Sequence, residues 1–179
     1  MAMPDDSTDD IFLPCGRLRL DLLTSASVDA LGEAIRLAQE TRWDSVRSPH
    51  VFMGLLARAD RSVCLWGQRL QIDLPLLLSQ FQEIFHQEEG DIEAFLRLNR
   101  EFLSDNVIRL LREARCRACE HSRPQITPMD MLITLLTASK SIVGELFEKV
   151  GVTAAKLTEQ AVIAEHTSAT SEANEATDR

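Results

Sequence analysis

Several residue types are rare in this sequence of 179 residues, and their scarcity limits the folds that it can adopt. Tyrosine is absent, aromatic residues make up 5% of the chain, and there are only seven glycines and six prolines. A composition rich in leucine, alanine, glutamate and arginine favours helices over strands. We therefore expect an all-α protein, long enough to bury a hydrophobic core without disulfides.

Long apolar runs and targeting signals are also missing. No apolar stretch approaches the roughly 18 residues that a membrane-spanning helix needs. Residues 1–10 are acidic and have neither the basic nor the apolar region of a secretory signal. The cysteines are scattered rather than arranged as a disulfide framework: Cys15, Cys64, Cys116 and Cys119. These features predict a cytoplasmic protein with free thiols and no membrane partner.

Positive charge is in the minority. There are 19 lysines and arginines against 28 aspartates and glutamates, which gives a net charge of −9 and an isoelectric point near 4.9. A nucleic-acid-binding surface must be basic to displace counterions from phosphates. The balance of charge therefore argues against a nucleic-acid partner and favours basic or apolar protein partners.

An internal repeat runs through the sequence with an offset of 80 residues and no gap. Identical residues align along both copies, among them Leu31 with Leu111, Ala34 with Ala114, Ala38 with Ala118, Leu55 with Leu135 and Gln80 with Gln160. Such self-similarity is the signature of a repeated structural unit. We predict two tandem four-helix repeats, packed as a pseudo-two-fold globular bundle.

Helix-capping residues recur in the two copies. The first helices begin after Thr24 and Ser104, and the second helices open at residues 48–49 and 127–128, where a hydroxyl residue precedes proline. The second helices are apolar on almost all sides, which is typical of the buried centre of a bundle. Shorter third helices are expected at about residues 63–70 and 143–150, and fourth helices after Asp73 and Thr153.

These signals divide the chain into a central domain and two tails. The predicted domain spans residues 18–163, with repeat one at 22–81, a connector at 82–101 and repeat two at 102–163. Residues 1–10 are acidic, and residues 165–179, rich in serine, threonine, alanine and glutamate, lack apolar periodicity. We therefore expect disordered tails at residues 1–17 and 164–179, the second of which is also suited to be a linker.

The segment Ser48-Pro49-His50-Val51-Phe52-Met53-Gly54-Leu55-Leu56 resembles a motif of the double Clp-N repeat, the N-terminal domain of Clp/Hsp100 AAA+ chaperones. His50, Gly54, Leu55 and Leu56 match the family pattern. Repeat two departs from it, with Asp130 at the histidine position and Thr134 at the glycine position. The resemblance covers about residues 18–163 and rests on core-packing motifs.

The resemblance implies a non-enzymatic protein-binding module: an adaptor, a regulator or a substrate-recognition domain of a Clp-type ATP-dependent protease or chaperone. The implied partners are a Clp-type ATPase or protease, or its substrates, and we expect a monomer. No glycine-rich loop precedes any of the three lysines, so a P-loop is not recognisable. The alternative is the N-terminal substrate-recognition domain of a full-length AAA+ unfoldase, including a secretion-system unfoldase that grips a sheath helix.

One position of the family motif differs here. Some members of the family are thought to recognise phosphorylated arginine through a glutamate, but Pro49 and Met129 occupy its two positions. The resemblance therefore does not carry phospho-arginine recognition over to this chain.

The aromatic residues at helix ends and in the connector are the candidate partner-binding residues. At the seam between two repeats they can line a groove for a partner helix or an extended peptide. The alternative is that they only hold the two halves together. They are Trp43, Trp66, Phe81, Phe85, Phe95 and Phe102.

Two further groups of residues have both a chemical and a structural interpretation. Cys116 and Cys119, with His121 nearby, have the residue types of a zinc or redox site, but a structural zinc site needs four ligands, so plain surface cysteines are favoured. Histidine as a residue type titrates near neutrality, so His50 could be a base, but no nucleophile or acid partner is recognisable around it and packing at a helix start is favoured. We expect no catalytic residue, metal or cofactor.

Overall fold

The computed structural model describes residues 10–88, 96–138 and 141–177, with side chains as far as residue 170. Across those residues the fold is all-helical, with four isolated β-bridges and no strand. Short 3-10 turns at Leu20–Leu22 and Arg100–Phe102 precede the two repeats. The helices are α1 Ser25–Glu40, α2 Ser48–Ala57, α3 Arg61–Arg69, α4 Leu74–Phe85, α5 Asp105–Glu120, α6 Pro128–Thr137, α7 Ile142–Lys149 and α8 Ala154–Thr177.

The 80-residue offset of the sequence is also the offset of the structure. α1 and α5 begin and end exactly one offset apart, and so do the two 3-10 turns. Four residues with left-handed backbone conformation follow the same rule, since Arg42 and Ser122 end the first helices while Gln71 and Gly151 end the third. The prediction of two tandem four-helix repeats is confirmed.

Helix caps form where the sequence predicts them in α1, α4, α5 and α6, but the predicted hydroxyl cap of α2 is wrong, because α2 begins at Ser48 itself and Arg47 holds the N-cap position. The side chains of Thr24 and Ser104 accept hydrogen bonds from the backbone N–H groups of Ser27 and Val107, and Asp73 caps α4 in the same way. Each bond satisfies one of the free N–H groups that a helix start leaves.

A reciprocal exchange of backbone hydrogen bonds relates the two repeats. Thr24 N donates to the carbonyl of Ile126, and Ile126 N donates to that of Leu22, at 3.1 and 2.7 Å. One offset away, Ser104 N donates to Val46 and Val46 N donates to Phe102, at 3.0 and 2.8 Å. The segment before each repeat therefore pairs with the loop between the first two helices of the other, which is the pattern of a pseudo-two-fold axis.

The core lies around α2 and α6, the two helices with the most apolar sequences. Eight of the ten residues of α2 and nine of the ten residues of α6 are buried. An aromatic cluster joins the repeats, with ring centroids 5.0–6.5 Å apart, a spacing at which ring pairs add to the energy of burial. Its members are Phe52, Trp66, Phe81 and Phe147.

Helices α1 and α2 approach more closely than their counterparts in repeat two can. A Cβ atom on Gly54 would lie 2.2 Å from the carbonyl oxygen of Ala30 and 3.0 Å from the backbone nitrogen of Ala34. At the same position of α6 there is room for the threonine side chain of Thr134, whose hydroxyl donates to the carbonyl of Asp130 at 2.7 Å. The small residues Ala30 and Ala34 of α1 therefore allow a backbone contact between the two helices in repeat one.

The expectation of disordered ends is wrong for part of both tails. Ile11 and Phe12 are buried, 2% and 4% exposed, because two apolar side chains among the acidic residues suffice to fix that segment on the core. At the other end α8 continues far beyond residue 163, and its inner face is made of small residues that give a weak apolar signal: Ala161, Ala164 and Ser168.

Candidate functional site

A groove of about 750 Å³ lies at the seam between the repeats. Repeat one contributes the segment that leads into α2, together with Phe85 at the end of α4. Repeat two contributes α5 and the turn between α6 and α7. The groove lining includes Trp43, Arg47, His50, Phe85, Arg109, Glu113 and Ile142.

Capping chemistry fixes the first wall of the groove. The backbone N–H of Arg47 donates to Nδ1 of His50 at 3.0 Å, so the imidazole acts as the capping acceptor at the start of α2. With Nδ1 accepting, Nε2 carries the proton and faces Oγ1 of Thr41 at 3.3 Å, and that hydroxyl in turn donates to the carbonyl of Leu37 at 2.6 Å. Both ring nitrogens therefore have partners within the protein.

His50 is a neutral structural residue. Burial, together with the nearby positive charge of Arg47, lowers the pKa of His50 from 6.5 to about 4. At neutral pH the imidazole is uncharged, and protonation of Nδ1 would break its bond with the Arg47 N–H. This arrangement agrees with the packing interpretation of His50 and provides no general base.

Trp43 forms a rigid, half-buried aromatic edge beside His50. Its indole Nε1 donates to the carbonyl of Phe85 at 2.6 Å, and its ring meets the His50 imidazole edge-on with centroids 5.4 Å apart. The guanidinium of Arg47 lies 4.8 Å from the centre of the Trp43 ring, within the range of a cation–π interaction. The indole is therefore fixed in position before any partner arrives.

The charged side chains of the groove are two arginines and one glutamate. Arg47 comes from the wall of repeat one, whereas Arg109 and Glu113 lie one turn apart on α5. All three are exposed. Ile142, the first residue of α7, is 43% exposed at the rim and adds an apolar contact. The lining thus combines an aromatic edge, an aliphatic rim and excess positive charge, although the chain as a whole carries −9.

The equivalent corner of repeat two is built from ion pairs. The positions of Trp43, His50 and Phe85 are occupied by Arg123, Asp130 and Glu165. Asp130 is fully buried and pairs with both Arg117, at 2.7 Å, and Arg123. Arg117 also binds Glu165 through two bonds of 2.8 and 3.0 Å. This cluster fastens α8 to α5 and α6.

The structure brings together two of the six predicted partner-binding residues, Trp43 and Phe85, in the seam groove. Trp66 and Phe81 are 0% and 3% exposed, so for them the interpretation as core residues replaces that of partner contacts. Phe102 is half-buried in the turn that pairs with Val46, away from the groove lining, and Phe95 lies outside the described residues.

Sequence reasoning missed the polar half of the groove. Arg47, Arg109 and Ile142 face one another only because repeat two is rotated onto repeat one, and no local pattern in the sequence marks such a contact. The available signal was the 80-residue offset itself, which places the start of α5 beside the start of α2 once a pseudo-two-fold axis is assumed.

Pro49 and Met129, which stand at the positions of the family's glutamate, are both buried. Neither offers a carboxylate to a guanidinium. In the described part of the chain, no three histidine, cysteine, aspartate or glutamate side chains are grouped as metal ligands would be. None of the helices described is both long and apolar enough to cross a membrane.

Solved structures with the same fold are N-terminal domains of Clp/Hsp100 proteins. The domain of ClpD from Arabidopsis thaliana matches with a TM-score of 0.63 and 19% identity, over 83% of this chain and 97% of that one. The Hsp104 N-terminal domain from Candida albicans matches with a TM-score of 0.64 and 11% identity, over 78% and 89%. The ClpV1 domain from the E. coli EAEC Sci1 T6SS matches with 0.62 and 16%, over 82% and 88%.

These likenesses confirm the fold that the motif at residues 48–56 suggested. No family model and no curated protein matches the sequence. The fold of the Clp N-terminal domain is therefore retained here at sequence identities below 20%.

Proposed function

We propose that this chain is a non-enzymatic protein-binding module that acts as an adaptor, regulator or substrate-recognition domain of a Clp-type protease or chaperone machine. The observation that carries the proposal is the seam groove, whose aromatic edge is held in place by the Trp43–Phe85 hydrogen bond. The likeness of the chain to Clp N-terminal domains supports its association with such a machine.

The groove suits a short segment of another protein. Aromatic and aliphatic side chains supply contact area, while the exposed arginines can bind polar groups of the docked segment and so fix its orientation. Because Trp43 and His50 are fixed by hydrogen bonds, binding does not have to order them, which reduces the entropic cost of association.

The charges of the groove indicate which segments it accepts. The net charge of the chain favours basic partners, but Arg47 and Arg109 outnumber Glu113 in the lining. We therefore expect the bound segment to be amphipathic, with an acidic side chain facing the arginines and basic residues reserved for flanks that lie over the acidic remainder of the surface.

The second candidate is the N-terminal substrate-recognition domain of a larger AAA+ unfoldase, including one of a secretion system. It is supported by the extent of the likeness, since this chain covers 88–97% of three solved domains that are themselves N-terminal parts of Clp/Hsp100 proteins.

A pull-down with the intact chain from lysate of its source organism, followed by mass spectrometry, tests the proposal. Enrichment of a Clp-type ATPase or protease core supports an adaptor or regulator. Enrichment of diverse clients, or of one helical cargo without the machine, supports substrate capture. Enrichment of neither class over a control contradicts protein binding.

A matched pair of variants connects the captured proteins to the groove. Arg109→Glu reverses a charge in the groove, and Arg69→Glu makes the same change on α3, where Arg69 is exposed and binds Gln160. We expect Arg109→Glu to weaken capture about tenfold or more, the size of a lost favourable charge contact turned repulsive, and Arg69→Glu to have little effect. Equal losses with both variants would place the binding site elsewhere.

A further inference from the structure

A second cleft, of about 480 Å³, lies on the opposite side of α5 from the ion-pair cluster. It contains two of the four cysteines. Cys116 and Cys119 both line it and both are exposed, free thiols. Residues three apart on a helix lie on the same face, so the two sulfur atoms open into the same space. The other walls are Asp10, Ile11, Arg112, Arg115 and Glu120.

We propose that Cys116 and Cys119 form a reversible redox pair, oxidised to an intrahelical disulfide by a small-molecule disulfide such as glutathione disulfide. Their Cα atoms are about 5 Å apart by the geometry of an α-helix, within the range that a disulfide spans. Their Cβ atoms, about 5–6 Å apart in a regular helix, must come about 1–2 Å closer.

The end of α5 is the part of the helix where that adjustment costs least. Cys119 is the penultimate residue of α5, and the N–H of His121 already donates to Ala118, the tighter spacing of a 3-10 turn, as well as to Arg117. Ser122 then leaves the helix with a φ of +57°. Tightening the turn at residues 116–119 therefore extends a geometry that is already present, rather than breaking a regular helix in its middle.

The cleft admits an anionic oxidant. Asp10 and Glu120 balance Arg112 and Arg115 among its charged residues, so the lining has no net charge although the chain carries −9. The N-terminal segment that forms one wall is held in place by a bidentate ion pair between Asp10 and Arg112, at 3.1 Å for both bonds.

The chemistry is two successive exchanges. The thiolate of one cysteine attacks glutathione disulfide, the sulfur–sulfur bond of the oxidant breaks, and one glutathione leaves as a thiol. The thiolate of the second cysteine then attacks the mixed disulfide and releases the second glutathione. Two protein thiols are oxidised, one glutathione disulfide is reduced to two thiols, and the two protons lost by the cysteines end on the released glutathiones.

The number of glutathiones released gives a direct test of disulfide formation in the intact 179-residue chain. Because closure releases two glutathiones, diluting the total glutathione tenfold at a fixed ratio of disulfide to thiol raises the ratio of oxidised to reduced pair about tenfold. Formation of a mixed disulfide releases one glutathione, so the ratio of mixed disulfide to reduced protein does not respond to that dilution. The populations are measured by alkylation and mass spectrometry, in which tryptic cleavage after Arg117 separates the two cysteines unless a disulfide joins them.

Two variants complete the experiment. In Cys119→Ser, Cys116 can form only a mixed disulfide, and the dilution effect should vanish. In Cys64→Ser, which removes an exposed thiol outside the cleft, it should persist. The proposal is overturned if the pair shows no response to dilution, if it oxidises no more readily than Cys15 and Cys64, or if the disulfides formed join two protein chains.

Discussion

The corner beside α2 and its counterpart beside α6 solve one structural problem in two ways. In repeat one the N-terminus of α2 is capped by the imidazole of His50, which accepts from the Arg47 N–H. In repeat two the carboxylate of Asp130 accepts from the Thr127 N–H at 2.9 Å. In both cases the N–H group at the N-cap needs a hydrogen-bond acceptor, and the side chain at the third helical position provides it, either neutral or charged.

The choice of acceptor determines the surroundings. A neutral imidazole can be buried beside an aromatic ring, and Trp43 occupies that place. A buried carboxylate needs positive charge, which Arg117 and Arg123 supply, and these cations require a second carboxylate, Glu165. The aromatic corner, formed by Trp43 and His50, exposes the edge of the indole ring in the groove. In the ionic corner, formed by Asp130 with its arginines and Glu165, the side chains bind one another and hold α8.

Removal of the buried carboxylate should produce the largest effect. In Asp130→Asn, Arg117 and Arg123 keep their charges but lose one of two counter-charges in a buried site, so we expect the free energy of unfolding to fall by about 3–5 kcal/mol. Urea denaturation at neutral pH, followed by circular dichroism, measures the loss.

The equivalent change in repeat one, His50→Asn, is the matched comparison. Asparagine can still accept from the Arg47 N–H, and no charge is left unpaired, so about 1 kcal/mol is expected. Similar losses in the two variants would show that the two corners do not differ in the way that their ion pairs indicate.

The pH dependence of stability should separate the corners. The unfolded chain protonates His50 near pH 6.5, but the folded chain does so only at about 4, so the contribution of His50 is complete above pH 6.5 and decreases as the pH falls towards 4. About 3 kcal/mol should be lost over that interval. His50→Asn should remove this loss, which is read from unfolding free energies measured between pH 7 and 4, with His86→Asn, an exposed histidine, as the control.

In the ionic corner, stability is lost only at a lower pH than in the aromatic corner. Burial tends to raise the pKa of Glu165, but the hydrogen bonds of Arg117 and the positive charges of Arg117 and Arg123 lower it below the ordinary value of 4.5. Its contribution is therefore present above pH 4.5 and is lost only below that. Glu165→Gln should reduce stability at pH 7 and leave the decrease between pH 6.5 and 4.5 unchanged. A flattening of that decrease in Glu165→Gln would contradict the assignment to His50.

A further pair of variants tests the contact between the first two helices. Gly54→Ala places a Cβ atom against the backbone of α1, and we expect a loss of about 2–3 kcal/mol, towards the upper end of the range for overpacking. At the same position of repeat two, Thr134→Val replaces the hydroxyl with a methyl group of similar size and should cost about 1 kcal/mol. Denaturation curves of the two variants decide whether the repeats differ in helix spacing as described.

Much of the fold follows from local signals. Thr24, Ser104 and Asp73 cap helices in the structure as the sequence predicts, because capping depends on residues two or three positions apart. The offset of 80 residues predicts the second half from the first. Such features require no knowledge of how distant segments meet.

The candidate site and the ionic corner depend on distant contacts and were only partly predictable. Glu165 lies in a segment rich in serine, threonine and alanine that resembles a tail, and its partner Arg117 is 48 residues away. Trp66 and Phe81 look like seam residues in sequence, but packing against Phe147 buries them. Applying the offset to Trp43, His50 and Phe85 points to Arg123, Asp130 and Glu165, although it does not reveal that they pair.

The reciprocal hydrogen bonds between the repeats have a consequence for connectivity. The segment at residues 22–24 pairs with Ile126, and that at residues 102–104 pairs with Val46, so the backbone groups at the start of each repeat are satisfied by the other repeat. The arrangement is that of an isologous dimer interface contained in one polypeptide. Cutting the chain between α4 and the second repeat should therefore give two fragments that complement each other like the subunits of a heterodimer, each with a half-filled interface until it meets the other.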